Sequence, residues 1–198
     1  RLSLAGANIV VDGNSIYANT GGDTMASILS WLHAAPGATY TSVAISGQAW
    51  YGMIANHGDV DGAYVAGKTN VLICAETTNA AVHGGGGPIR DGAGAWADCQ
   101  AYVAARKASH PDWRIIVCGT PPIAGAGIPD LPGSNAAYVQ FDSMARVGHK
   151  AAGIDAFVDY RTEATPWLNH DGSVLSAFSS NPAMWSDAYV HPNNTGKV

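Results

Sequence analysis

Charge is what this sequence has least of. Only 13% of its 198 residues are Asp, Glu, Lys or Arg, against roughly 25% in an ordinary globular chain. What charge exists leans acidic: 10 basic and 15 acidic residues give a net −5, with a pI near 5.7. A basic patch is what binds phosphates, so this balance argues against a nucleic-acid partner. No block of like charges forms a tail. Long hydrophobic runs are also missing. Runs such as Ile9–Val11 and Val71–Ala75 have strand length, far short of the roughly 20 residues of a membrane span. Cysteine is scarce: Cys74, Cys99 and Cys118 are odd in number and lack CxxC spacing, so buried thiols are expected rather than a metal site or a disulfide framework. His33, His57, His83, His110, His149 and His170 share no ligand spacing such as HExxH, and no metal or cofactor is expected. Arg1 is not an initiator methionine, and no signal-peptide pattern stands at the start. The expectation is a processed protein or an excised domain, part of a larger polypeptide or particle.

What is present is apolar residue and glycine. Hydrophobic residues make up 47% and mean hydropathy is +0.03, the balance of a soluble globular chain rather than a disordered one. Residues 1–198 are the right size for a single domain with a real core. The 24 glycines and the low charge imply a surface of small, neutral polar residues. Such surfaces occur on secreted and particle-associated proteins, so an extracellular, secreted or particle-associated location is expected.

Short β-rich runs alternate with longer segments of helical period. Candidate strands are Asn8–Asp12, Thr41–Ser46, Asn70–Ala75, Arg114–Gly119 and Ala156–Tyr160, several of them continuous apolar runs of the kind found in parallel strands covered on both faces. Met25, Ile28, Leu29 and Leu32 fall on one helical face. Trp96, Cys99 and Val103 give a second stripe, and Tyr138, Phe141 and Ala145 a third, with Ser134 as its expected N-cap. This alternation predicts an α/β sandwich with a five-stranded parallel sheet. In open sheets of that kind ligands bind beyond the carboxyl ends of the strands.

Those ends carry suggestive residues. The first strand runs into Asp12-Gly13-Asn14-Ser15, a glycine turn that presents a hydroxyl. The second ends in Ser46-Gly47-Gln48, where glycine leaves a backbone N–H open to close approach. The third ends in Glu76-Thr77-Thr78-Asn79, which offers a side-chain amide. Near the C-terminus come Asp187-Ala188-Tyr189-Val190-His191. Acyl transfer needs these parts: a serine made nucleophilic by a base, a histidine of near-neutral pKa, a carboxylate to fix its tautomer, and donors facing the developing oxyanion.

Through these blocks the chain resembles the SGNH, or GDSL-type, hydrolase superfamily along nearly its whole length. Val10 to Ile16 looks like the nucleophile block, Val43 to Gln48 the second, Thr77-Thr78-Asn79 the third, and Asp187 to Gly196 the last. The resemblance implies a flavodoxin-like three-layer α/β/α sandwich. It implies Ser15 as nucleophile, His191 as base and Asp187 as acid, with Ser15, Gly47 and Asn79 forming the oxyanion hole. Asn14 stands where the family most often has aspartate, and Thr77 and Ala80 replace the usual glycine and aspartate of the third block. Asp187 lies four residues before His191 where the family places its acid three before, so Asp171 or a backbone carbonyl is the alternative partner. The family also has a final helix after this block, and the chain stops before it.

The implied activity is hydrolysis of a carboxylic ester, with removal of acetyl groups from a polysaccharide favoured as the reaction. A lipase or thioesterase acting on longer acyl chains, and a non-catalytic carbohydrate-binding or structural module, are the alternatives. Trp50, Tyr51, Trp185 and Tyr189 lie close in sequence to these blocks and are substrate-contact candidates, with core packing as the competing reading. Gly92 to Ala97 spells a GxGxxA dinucleotide pattern but follows a glycine loop rather than a strand, so it is read as a helix start. No glycine-rich phosphate motif follows the first strand, which disfavours a flavin or nucleotide site.

Overall fold

β1, Asn8–Gly13, is buried along its whole length, which is possible only for a strand with neighbours on both edges and cover on both faces. In a computed structural model of the chain, which describes residues 4–14, 18, 36–82, 86–119 and 131–159, it pairs in parallel with β2, Thr39–Ser42, and with β3, Asn70–Ala75. β3 pairs with β4, Arg114–Cys118, and β4 with β5, Ala156–Val158, again in parallel. The order is β2-β1-β3-β4-β5, that of flavodoxin-like doubly wound sheets. The five-stranded parallel sheet expected from the sequence is therefore present.

Alternation along the strands divides the core. Val10, Leu72, Cys74, Ile115 and Val117 join one cluster with side chains of helices that include α1, Trp50–Ala55; α4, Gly92–Ser109; and α5, Leu131–Gly148. Ile9 and Val71 belong to a second cluster and are also fully buried, so both faces of the central pair are covered. Two short helices complete the described elements: α2, His57–Gly62, and α3, Thr78–Val82. The expected stripes on α4 and α5 are core: Cys99, Val103, Tyr138, Phe141 and Ala145 have no accessible surface, and Trp96 keeps 5%. All three cysteines are buried, and none is in a disulfide. No described helix is long and apolar enough to cross a membrane.

Two boundaries differ from expectation. The second strand is Thr39–Ser42 rather than Thr41–Ser46. It is an edge strand with one neighbour and largely exposed side chains, so polar, β-branched residues suit it and the apolar run Val43–Ile45 lies beyond it. That run still follows β1, because the Val43 and Ile45 N–H groups donate to Val11 and Gly13 carbonyls at 2.9 and 3.0 Å. The last long helix starts at Leu131, which puts Ser134 inside it rather than at its N-cap. Pro132 is tolerated because a first-turn residue has no intrahelical use for its N–H. The helix expected around Met25–Leu32 lies outside the described residues.

Candidate functional site

β1 leads to β2 on one side and borders β3 on the other, so the sheet has its topological switch between β1 and β3. In sheets of this order ligands bind there, at the carboxyl ends of the strands. Gly13 pairs with Ala75 in the last register position of these strands, so Asn14 and Glu76 leave the sheet side by side. The third contributor is the turn Ile45-Ser46-Gly47-Gln48, closed by a bond from Gln48 N–H to the Ile45 carbonyl at 3.2 Å. Gly47 holds φ at +81° in this turn, a conformation that side chains with a Cβ resist.

Two buried polar side chains tie the three segments together. Gln48 is 6% exposed. Its amide donates to Asp12 Oδ1 and to the Gly13 carbonyl, both at 3.0 Å, joining the second segment to the first. Its backbone carbonyl accepts from Asn79 Nδ2 at 2.8 Å, joining the third. Asn79 is 7% exposed, and its amide carries two protons, of which this bond uses one. The second tie is Glu76, 1% exposed. Its carboxylate accepts from Asn14 Nδ2 at 3.3 Å, Trp50 N at 3.3 Å, Asn79 N at 2.6 Å and Ala80 N at 3.4 Å. Beyond Asn14 the Ala18 N–H returns to the Asn14 carbonyl at 2.9 Å.

A buried carboxyl also lies directly beneath the site. Asp12 accepts from Gly13 N–H at 2.8 Å, from Gln48, and from the Tyr102 hydroxyl at 2.7 Å. Burial pushes its carboxyl up to about 6, against the pull of these donors and of Arg106. Arg106 is 2% exposed, lies over the Tyr102 ring at 5.5 Å and pairs with Asp61 at 2.7 Å. A continuous polar line thus runs from α2 through α4 to the end of β1. Burial raises Glu76 further, to about 7, although all four of its donors favour the charged form.

The residues singled out from sequence fare differently. Gly47 and Asn79 stand on the same ledge, joined through Gln48. Trp50 does not face a ligand: it has no accessible surface, stacks on Phe141 at 6.2 Å and lies 5.8 Å from Tyr102. The apolar ring belongs to the core, and its indole N–H is served by Thr77 Oγ1 at 3.4 Å. Tyr51, next on α1, is 51% exposed. Ser15, Asp171, Trp185, Asp187, Tyr189 and His191 lie outside the described residues. Among the described residues no three of His, Cys, Asp and Glu gather as metal ligands. Sequence reasoning passed over Glu76, Asp12, Gln48 and Tyr102 as working parts. The one available signal was a carboxylate directly after each of two apolar runs, where burial is costly without dedicated donors.

No protein-family model matches the chain, and no curated protein sequence matches it. Solved structures do. An acetylxylan esterase from Geobacillus stearothermophilus superposes with a TM-score of 0.67 at 16% identity, covering 98% of this chain and 91% of that one. A GDSL-like lipase from Bacteroides thetaiotaomicron gives 0.65 at 18% identity, covering 96% and 82%. A member of the lipolytic G-D-S-L family from Veillonella parvula gives 0.67 at 16% identity, covering 96% and 91%. The chain has the fold of the GDSL-type lipases and esterases, with its Gly13-Asn14, Gly47 and Asn79 segments at the carboxyl ends of the sheet.

Proposed function

We propose that this protein is a serine ester hydrolase working through an acyl-enzyme. The observation that carries the reading is the convergence of three separate segments, ending in Gly13-Asn14, Gly47-Gln48 and Asn79, on the β1–β3 switch point through Gln48 and Glu76. Ser15 follows directly in the first segment and attacks the ester carbonyl as His191 takes its proton. Asp187 orients His191. The N–H groups of Ser15 and Gly47 and the remaining proton of the Asn79 amide hold the oxyanion. Water then releases the acid, with His191 again as base.

The favoured substrate is an O-acetyl group on a polysaccharide. Low charge and the exposed Tyr51 ring, next after Trp50 in α1, support it, as an aromatic face suits a sugar ring. The acetylxylan esterase among the similar structures agrees with it. Ile45, 41% exposed two residues before Gly47, favours the second reading, a longer apolar acyl chain. The test is turnover of p-nitrophenyl esters from acetate to octanoate by the wild type and Ser15→Ala. We expect Ser15→Ala to lose at least about a thousandfold in kcat and the wild type to prefer acetate. Equal rates in the two proteins sink the hydrolase reading. A maximum at octanoate sinks deacetylation alone.

A further inference from the structure

Glu76 takes no part in the acyl-transfer scheme, yet every group that donates to it belongs to a segment of the site. Asn14 precedes the candidate nucleophile. Trp50 opens α1, three residues after Gly47. Asn79 is the candidate amide donor, and Ala80 follows it in the first turn of α3. The partners divide evenly between the two oxygens: Asn79 N and Asn14 Nδ2 on Oε1, Trp50 N and Ala80 N on Oε2. An ionised carboxylate is acceptor-only with about four lone-pair sites, so four N–H donors saturate it. A neutral carboxylic acid or an amide places hydrogen on one oxygen position and sets donor against donor there.

We propose that Glu76 is a positioning residue for the oxyanion site: its carboxylate clamps the Asn14, Gly47–Trp50 and Asn79 segments in the arrangement that oxyanion binding uses. The proposal rests on the ester-hydrolase reading. The clamp is strongest with Glu76 ionised. Burial places its carboxyl near 7, and the groups facing it are the Asn14 amide just after β1, the Trp50 N–H from α1 and the Asn79 and Ala80 N–H groups from α3. Burial is the largest cause of that shift, and the four donors oppose it. Asp12, the other buried carboxyl of the ledge, is engaged by Gly13, Gln48 and Tyr102. The site therefore loosens as pH falls through neutrality.

Two measurements on the full chain test this. The first is a pH titration of the backbone amides by 15N-resolved NMR, which needs no substrate. We expect Trp50, Asn79 and Ala80 to titrate together with one midpoint near 7, in the wild type and in Ser15→Ala alike, and to stop doing so in Glu76→Gln. Flat amides in the wild type overturn the clamp even if Glu76→Gln does not fold. The second is the pH dependence of p-nitrophenyl acetate hydrolysis. We expect Glu76→Gln to lose up to about a hundredfold in kcat, with KM within about threefold of wild type. Its acid limb should fall as one ionisation where the wild type falls more steeply. Ser15-dependent turnover with unchanged kcat, KM and pH profile in Glu76→Gln overturns the clamp alone. Turnover equal in wild type and Ser15→Ala overturns the hydrolase reading and, with it, the catalytic purpose of the clamp.

Discussion

Gly47 shows how much of the site is backbone. Its φ of +81° carries no steric conflict, since a Cβ built there meets nothing within 4 Å. The obstacle to another residue is conformational, worth roughly 1–2 kcal/mol for a residue with a Cβ. Gly47→Ala should therefore destabilise the fold by about that amount in urea unfolding. It should also lower ester turnover more than it raises KM, because the turn that aims the Gly47 N–H must relax. Equal stability and equal kcat would show that the turn does not depend on its glycine. Gly47 and Asn79 were legible in the sequence because each stands in a short motif after a strand. The groups that hold them were not. Gln48 meets Asp12 across 36 positions of chain and Tyr102 meets Asp12 across 90, and nothing in one sequence says that such pairs face each other. Trp50 shows the opposite difficulty. Closeness in sequence to Gly47 made it a ligand candidate, whereas helical geometry turns it into the core and leaves Tyr51 outside.

Elements were easier to read than contacts because their signal is local. β1, β3 and β4 are apolar runs buried by neighbours on both edges, and they lie where the runs lie. β2 was misplaced because an edge strand needs few apolar residues, so hydrophobicity points past it. The start of α4 was read from a glycine pattern, and packing supplies the reason for the glycine. Asp91 caps the helix by accepting from Gly94 N–H at 2.7 Å, while Gly92 lies against α5. A Cβ on Gly92 would stand 2.3 Å from the Ala137 carbonyl oxygen and 2.6 Å from Phe141 N. Both are backbone atoms, so the two helices would have to separate. Gly92→Ala should cost about 1–3 kcal/mol in thermal or urea unfolding, as overpacking does. Gly58→Ala, with open space around its Cβ, is the control and should stay within about 0.5 kcal/mol of wild type. A Gly92→Ala protein as stable as the control would mean that α4 and α5 approach each other less closely than described.

At the scale of the whole molecule, the carboxyl-end ledge trades stability for order. Asp12 and Glu76 are 3% and 1% exposed, and burial raises both, from 3.8 to about 6 and from 4.5 to about 7. A carboxyl whose pKa rises on folding holds its proton more tightly in the native state than in the unfolded chain. Its contribution is therefore fully favourable below the unfolded value and is lost as pH climbs through the folded one. For Asp12 that loss spans about pH 4 to 6 and amounts to about 3 kcal/mol. For Glu76 it spans about pH 4.5 to 7 with a similar size. Above neutral pH the protein thus keeps two ionised carboxylates in its interior at a cost to folding, as expected where a site needs fixed charge more than the fold needs stability. Asp12→Asn isolates one of them. The amide oxygen can still accept from Gly13 and Gln48, and the amide nitrogen meets the Tyr102 hydroxyl oxygen, so the local geometry has a neutral substitute. Measured by urea unfolding, the stability of Asp12→Asn relative to wild type should rise by about 3 kcal/mol between about pH 4 and about pH 8. Whatever the variant costs at acid pH, that slope belongs to the Asp12 proton. Parallel pH–stability curves for the two proteins would mean that Asp12 titrates at its ordinary value and that the ledge carries no such cost there.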